Sequence, residues 1–322
     1  MGKTKIPYCD YTWNPVTGRT HVGAGCDQCW ARSLHEMRHK AHLNGNKMAP
    51  QYAHPFNFIQ LHKERLTEPI KIRKPSKIAV CLGGDLFHDD VPDSFIEQVY
   101  VVMALCPQHT FQVLTKRPER RRKWYAGLDG EDGEGWRSAV VEGCAQNLFA
   151  TLYPEHAKNV DEWLAVNLPL KNVWEGVSVW GQSSADEFIP LLLQTPSAIK
   201  WVSAEPILGP IEFSRIVMPD LDWWVVGGES GPHARPCDVA WIRSMVEQCK
   251  VAGVACFVKQ LGAVPMESEV NWRGRAMTRL LSARNARRVP DDMVPLLYRA
   301  TAGADPSEWP TDLQIREFPE VK

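Results

Sequence analysis

Three cysteines near the start of the chain have a spacing that could bind a metal. Cys26 and Cys29 form a C-x-x-C pair, and sixteen residues separate Cys26 from Cys9. A proline and three glycines interrupt those sixteen residues, so they predict a loop, and a helix is predicted over 31–40. Three thiolates in such a loop before a helix are typical of an iron–sulfur cluster with one iron left open.

Two other interpretations of these cysteines stay open at this point. A fourth ligand from His21 or His35 would complete a Cys₃His zinc site. The C-x-x-C pair could also have a redox role or no chemical role. The remaining six cysteines are isolated, most of them in apolar surroundings, and are interpreted as core thiols.

Apolar runs later in the chain predict the strands that would position a site. They cover 78–82, 111–114, 173–179, 199–203, 223–226 and 254–258. Continuous β-branched and aromatic runs are typical of strands buried on both faces of a parallel sheet. Helices are predicted between them over 93–103, 185–194 and 240–251, with Asp93 and Asp238 as N-caps.

Polar residues follow the predicted strands at their carboxyl ends. In a (β/α) barrel these ends meet at one mouth, where active sites lie. The residues are Gly83, Gly84, Asp85, Lys116, Ser178, Ser203, Glu205, Glu229 and Lys259. An open doubly wound sheet is the alternative, but no G-x-G-x-x-G follows the first predicted strand. We therefore predict a partial or near-complete parallel α/β barrel.

The predicted organisation has one insertion and an irregular tail. The segment 124–171 begins with acidic and glycine-rich residues and predicts an inserted loop with helices. Beyond Pro265 no further strands are predicted. The expected domains are a barrel over 1–265, with a cluster-binding loop over 9–30, and a basic segment and tail over 266–322 that pack on it.

Composition excludes several classes of protein. The 322 residues include 37 Lys and Arg against 38 Asp and Glu, so a histone-like basic wrapper is excluded. No stretch of 18 apolar residues predicts a membrane span, and the first residues lack the apolar segment of a signal peptide. We expect a protein of the reducing cytoplasm, where cysteines are thiols or metal ligands.

Two basic clusters suggest a polyanionic partner. Residues 116–123 contain six Lys or Arg, directly before Trp124 and Tyr125, which could stack on bases. A second cluster lies between Val270 and Pro290, beside Trp272. Each cluster could also be a solvated helix face. We predict a DNA or nucleotide-linked substrate.

Long motifs carry a resemblance to a known family. They include T-W-N-P-V-T-G at 12–18, G-C-D-Q-C-W-A at 25–31, F-Q-V-L-T-K-R-P-E-R at 111–120 and V-S-A-E-P-I-L-G-P at 202–210. The chain resembles a phage-type family of unknown function, whose members open T-W-N-P-V-T-G-C … G-C-x-x-C-Y-A. That family looks like an outlying branch of the radical S-adenosylmethionine (SAM) enzymes.

The resemblance implies a cofactor set and a location. A [4Fe-4S] cluster would be held by Cys9, Cys26 and Cys29, with SAM on its open iron and an external electron donor. The cytoplasm of a phage host would be the location. SAM would contact Gly83, Gly84, Asp85, Ser178, Ser203 and Arg19.

One departure from the family motif concerns the first cysteine. That cysteine falls where this chain has Arg19. Either Cys9 reaches across the loop to the same iron, which is the interpretation we favour, or only two thiolate ligands remain.

The predicted reaction is a redox-neutral rearrangement, of isomerase or lyase type, through a 5′-deoxyadenosyl radical. The substrate would be a modified DNA base or a group attached to one, contacted by Lys116, Glu205, Glu229 and Lys259. One alternative is a lyase that repairs DNA lesions. Another is a non-catalytic nucleic-acid-binding zinc or structural protein on a decayed barrel.

Overall fold

A computed structural model gives the fold of the chain. It describes residues 1–128, 169–215, 220–270, 276–280 and 303–320. The insertion predicted over 124–171 therefore lies largely outside the described residues. Most of the second basic cluster also lies outside them, and Arg279 is described by its backbone alone. Among the described helices, none is long and apolar enough to cross a membrane.

An eight-stranded sheet forms the centre of the described chain. Its strands, in spatial order, are β1 (Gly2–Lys3), β2 (Tyr11–Trp13), β5 (Lys77–Val80), β6 (Thr110–Thr115), β7 (Val173–Val179), β8 (Ile199–Ala204), β9 (Trp223–Gly227) and β11 (Ala255–Gln260). All neighbouring pairs are parallel except β1 with β2. The largely parallel α/β sheet predicted from the apolar runs is confirmed.

The strand order separates the two architectures that the sequence left open. From β2 to β11 the spatial order follows the chain order and never reverses. A doubly wound sheet reverses its order at a switch point, and this sheet has none among the described strands. No pairing between β1 and β11 closes the sheet in the described chain, so barrel closure is not shown.

The sheet is strongly curved around an interior cluster of aromatic side chains. Ala79 of β5 and Phe257 of β11 belong to one buried cluster, although three other strands of that cluster lie between them. Tyr8 and Cys9, from the segment before β2, fill the centre of the same cluster. The concave face is thus packed from within by the N-terminal segment, and the opposite face packs against helices.

Each of the five described α-helices lies between two strands of the eight-stranded sheet. They are α1 (Trp30–Leu43), α2 (Asp93–Ala104), α3 (Pro118–Leu128), α4 (Gln182–Leu193) and α5 (Val239–Ala252). Asp238 caps α5 as predicted, because its side chain accepts a hydrogen bond from the Ala240 N–H. Asp93 is instead the first residue of α2, and the N-cap position belongs to Pro92. The predicted Asp93 cap is therefore wrong.

Small pairings and the tail complete the described fold. Strand β3 (Val16–Thr17) pairs with β4 (Gln60–Leu61), and β12 (Pro265–Val270) pairs with β10 (Cys237–Asp238) and β13 (Ala276–Leu280). The expectation that strands end at Pro265 is wrong. Residues 266–270 carry apolar side chains only at Met266 and Val270, so they lack the apolar run by which the strands of the main sheet were predicted. In the tail, the Val258 N–H donates to the Ile315 carbonyl.

Candidate active site

A cavity of about 740 Å³ lies at the carboxyl ends of the parallel strands. This volume is within the range of small-molecule sites. Most of the predicted site residues line it, namely Arg19, Cys29, Gly84, Asp85, Lys116, Ser178, Ser203, Glu205, Glu229 and Lys259. Cys9, Cys26 and Gly83 are not among its lining residues. Parallel strands that follow one another around a curved sheet bring their carboxyl ends together, which explains this convergence.

Cys29 lies at the start of α1, in contact with Arg19. It occupies the N-cap position of the helix, and Arg19 Nη2 donates to its sulfur at 2.9 Å. Burial alone would raise the pKa of the Cys29 thiol. The Arg19 guanidinium and the backbone N–H groups of Ala31 and Arg32 outweigh burial, so the pKa is lowered. These contacts therefore favour the thiolate form of Cys29 on the cavity wall more than in an ordinary thiol.

Cys9 lies apart from this loop, inside the curved sheet. Its surroundings include the Ala79 backbone, Lys259 and Glu205, and burial raises its pKa to about 12. The two predicted histidine ligands also have other partners, since His21 contacts Asp27 at 2.7 Å and His35 contacts the His54 carbonyl at 2.9 Å. Among the described residues, no three His, Cys, Asp or Glu side chains form a group that could hold a metal ion. The donor set does not fit a three-thiolate cluster or a Cys₃His zinc site.

Asp85 joins the ends of β5 and β6. Its Oδ1 accepts from Thr115 Oγ1 at 2.7 Å and from the Phe87 N–H at 3.1 Å. Its Oδ2 accepts from the Lys116 N–H at 3.1 Å and from Arg117 Nη1 at 3.2 Å. A carboxylate has about four acceptor sites, and these four donors fill them. The geometry therefore supports a structural turn at Asp85 and gives no support to its predicted contact with the SAM amino group.

Gly84, beside Asp85, allows two backbone segments to approach closely. A Cβ at this position would lie 2.7 Å from the Val16 carbonyl oxygen of β3. Gly83 is fixed from the same side, because its N–H donates to Asn14 Oδ1 at 2.8 Å. The Gly-Gly-Asp turn thus packs the end of β5 against the loop that leads to the cysteines.

Lys116 is half-buried near both cysteines of the C-x-x-C pair. Its ammonium donates to Ser178 Oγ of β7 and lies 5.8 Å from the centre of the Trp180 ring. Burial and then the positive charge of Arg19 lower the pKa of Lys116, against the opposite effect of the two cysteines and Asp85, and the net pKa is about 8. A lysine with this pKa has a neutral fraction near physiological pH.

Glu205 lies between a lysine and a tyrosine. Lys259 Nζ is 2.9 Å from Glu205 Oε1, and Tyr8 Oη donates to Oε2 at 3.5 Å. Ser203 Oγ donates to the same Oε2 at 3.3 Å. Burial, followed by the charge of Glu205, raises the pKa of Tyr8 well above its ordinary value of 10.0, so the phenol keeps its proton. Sequence reasoning missed Tyr8, because nothing in the spacing of the leading segment marks it.

Glu229 is fully engaged by Arg235. Their contacts are 2.7 Å from Nη2 to Oε1 and 2.8 Å from Nε to Oε2. Arg235 also donates to the Ala24 carbonyl at 2.8 Å and reaches Asp27 at 3.4 Å. Glu229 therefore helps to fix the cysteine loop to the end of β9, and the structure gives no support to its predicted contact with substrate. Arg235 was also missed from sequence.

Fewer cations of the basic run at 116–123 are free to bind a polyanion than its composition predicts. Arg121 is fully buried, where it contacts Glu175 at 3.1 Å and the Gly176 carbonyl at 2.9 Å. Arg120 pairs with Asp93, and Arg122 and Lys123 pair with Glu119.

The aromatic rings after this run are not available for stacking. Trp124 and Tyr125 are only 3% and 4% exposed, so their predicted stacking on bases is wrong. They pack in the core because the face of α3 that carries them lies against α2 and the sheet. Trp30 is instead the aromatic side chain on the cavity rim, 52% exposed at the start of α1.

Comparison with protein-family models identifies the family. Residues 3–290 match the family described as "Protein of unknown function (DUF5131)", so the chain belongs to that family. No curated protein and no solved structure matches the chain. Because the family description names no activity, the function has to be argued from the cavity.

Proposed function

We propose that this member of the DUF5131 family is an enzyme that carries out a redox-neutral reaction, of isomerase or lyase type, in the cavity at the carboxyl ends of its strands. The observation that carries this proposal is the Lys259–Glu205–Tyr8 group on the cavity wall, together with Lys116 on the same wall. These side chains supply proton donors and a base in one polar, partly enclosed site.

Lys259 is the proposed acid. Its ammonium contacts Glu205 on one side, and 22% of its side chain remains exposed toward the cavity. Glu205 is a positioning residue, because Tyr8 and Ser203 hold its other oxygen. The held ammonium can donate a proton to the substrate or stabilise negative charge on a substrate oxygen.

Lys116 is the proposed base. Its pKa of about 8 leaves part of the amine neutral near pH 7, and Ser178 fixes its position. The neutral amine removes a proton from one substrate atom, and Lys259 returns a proton to another atom or to a leaving group. The electron pair released at the first atom forms the new double bond, so that no oxidant or reductant is consumed.

A radical SAM reaction is the other candidate, and it stays a prediction from the resemblance. The two thiols of the C-x-x-C pair favour it, but the described residues gather no third thiolate, and Asp85 has no free acceptor for SAM. The zinc-protein alternative needs a set of three or four ligands as well, and the part of the chain that the structure describes contains none.

The proposed substrate is a base, or a group attached to a base, in nucleic acid. Trp30 supports this class, because an indole that is half exposed on a cavity rim offers a stacking surface for a planar ring. Lys3 lines the same cavity and is exposed beside it. Base modification and lesion repair would both place a base at this rim.

Deuterium exchange tests the acid–base proposal directly, because it reports proton transfer whatever the product is. The purified chain is incubated in D₂O with DNA whose bases carry hydroxymethyl, formyl or carboxyl substituents, and the nucleosides are then examined by mass spectrometry. We expect deuterium incorporation or a changed base mass with the natural chain. Lys116→Met and Lys259→Met should reduce this rate by about 10²-fold or more.

Lys250→Met is the matched control, because Lys250 is exposed on the outer helix α5. It should exchange at the natural rate. Full exchange by Lys116→Met and Lys259→Met would remove both lysines from the reaction. Absence of exchange with every substituted DNA would contradict the proposed chemistry on bases.

A further inference from the structure

Arg19 occupies the place that a cluster ligand would need. The resemblance puts the first cysteine of the family at position 19, and the structure shows that the side chain at this position reaches Cys29. The distance from Arg19 Nη2 to Cys29 Sγ is 2.9 Å. The backbone is anchored too, since the Arg19 N–H donates to the Phe56 carbonyl at 3.1 Å. Position 19 is therefore adjacent to one sulfur of the C-x-x-C pair.

Cys9 does not replace the missing ligand in this arrangement. It belongs to the buried interior cluster with Tyr8, Trp201 and Phe257, whereas Cys29 packs with Ala31 and Phe56 in a separate cluster. Within the described residues, no set of three potential ligands forms around either sulfur of the loop. The chain thus offers two thiols and one guanidinium where three thiolates would be needed.

The cysteine loop has protein contacts that hold it without a metal. Arg235 joins it to Glu229 at the end of β9, through the Ala24 carbonyl and Asp27. Trp180 packs beneath it, because a Cβ at Gly25 would lie only 2.8 Å from that ring. Arg19 fastens the loop at Cys29.

We infer that Arg19 takes the place of the third thiolate in this chain, so that ion pairs and packing, and not an iron–sulfur cluster, hold the cysteine loop. The inference uses the resemblance and the contacts of the loop. It does not depend on the proposed proton-transfer reaction.

Anaerobic reconstitution with ferrous iron and sulfide tests this inference. Iron and sulfide per chain and the visible spectrum are measured for the natural chain and for Arg19→Cys, Arg19→Met, Cys9→Ser and Arg19→Cys/Cys29→Ser. We expect near-zero cluster in the natural chain and in Arg19→Met. Arg19→Cys should bind about four iron atoms and turn brown, and the double variant should lose them.

The opposite results are equally specific. About four iron atoms in the natural chain would overturn the inference, and their loss in Cys9→Ser would identify Cys9 as the third ligand. A folded Arg19→Cys that binds no iron would also overturn it, since position 19 would then not be a ligand position. Circular dichroism checks the fold of each variant. Because iron is measured without substrate, failure here is separate from failure of the proposed reaction.

Discussion

Asp85 shows how a polar residue at a strand end can act on the fold and not on a ligand. Its carboxylate receives four donors from the segments after β5 and β6, and one of them is the guanidinium of Arg117, whose side chain is only 11% exposed. Removing the carboxylate would leave that guanidinium without its buried partner. The guanidinium would keep only the Thr20 hydroxyl and the exposed Asp89, and the loss of a buried ionic partner is strongly destabilising.

We therefore predict that Asp85→Ala lowers the free energy of unfolding by about 3–5 kcal/mol. Asp89→Ala is the matched control, because Asp89 is 79% exposed and only reaches Arg117 at 4.0 Å. Its loss should change stability by about 0–1 kcal/mol. Urea denaturation of both variants measures the difference. Equal stability of the two, combined with loss of SAM binding in Asp85→Ala alone, would restore the ligand role that the resemblance implies.

The positions of the strand-end residues were predictable from the sequence, but their partners were not. Lys116, Ser178, Glu205 and Lys259 line one cavity because each follows or ends a parallel strand. Tyr8 meets Glu205 across 197 positions of the chain, and Arg235 meets Ala24 across 211. No local sequence pattern encodes such pairings. Only the fold reveals the Lys259–Glu205–Tyr8 group and the Arg235 contacts that hold the cysteine loop.

Secondary-structure elements were likewise predictable where the local sequence determines them, and not where it does not. The strands β5 to β9 and β11 are mostly apolar, and each was predicted within two residues of its ends. Strand β2 was missed because it is only Tyr11–Trp13 and has a polar central residue. Asp238 caps α5, but Asp93 does not cap α2, because Pro92 takes the N-cap position one residue earlier.

Helix α1 begins at Trp30, and this start places an aromatic ring on the cavity rim. The helix starts directly after Cys29, so the indole projects from its first residue and stays 52% exposed. Stacking of a base on an aromatic ring contributes about 1–3 kcal/mol. Trp30→Ala should therefore weaken binding of a single-stranded oligonucleotide by about 5- to 150-fold, measured by fluorescence anisotropy of a labelled strand.

Phe58→Ala is the control for this prediction. Phe58 is 50% exposed but does not line the cavity, so its loss should leave the affinity unchanged. Equal weakening by both substitutions would indicate non-specific contact with exposed aromatic rings. Unchanged affinity in Trp30→Ala would remove the rim from nucleic-acid recognition.

At the scale of the whole molecule, charge is balanced and locally paired. The formal net charge is −1, and most cations of the run 116–123 have acidic partners. Most cations of this run are therefore neutralised locally and do not form an unpaired basic patch. The proposed chemistry takes place inside the cavity, where cations from different parts of the chain shift one another's pKa values.

Arg19 and Lys116 show this coupling most directly. Arg19 comes from the cysteine loop and Lys116 from the end of β6, and the fold brings their charges close enough for Arg19 to lower the pKa of Lys116. The neutral amine, which is the proposed base, predominates above a pKa of about 8. The rate of deuterium exchange should therefore rise with pH through about 8 and level off above it.

Arg19→Met should move this rise to higher pH. Removing a neighbouring positive charge stabilises the protonated form of Lys116. Its pKa therefore rises, and less neutral amine is present near neutral pH. The exchange rate at neutral pH should fall several-fold, while the plateau at high pH stays close to that of the natural chain. Arg73→Met, at an exposed arginine before β5, should leave the profile in place. An unchanged profile or a shift toward acid in Arg19→Met would mean that the titrating base is a group other than Lys116, because the loss of a neighbouring cation raises the pKa of Lys116.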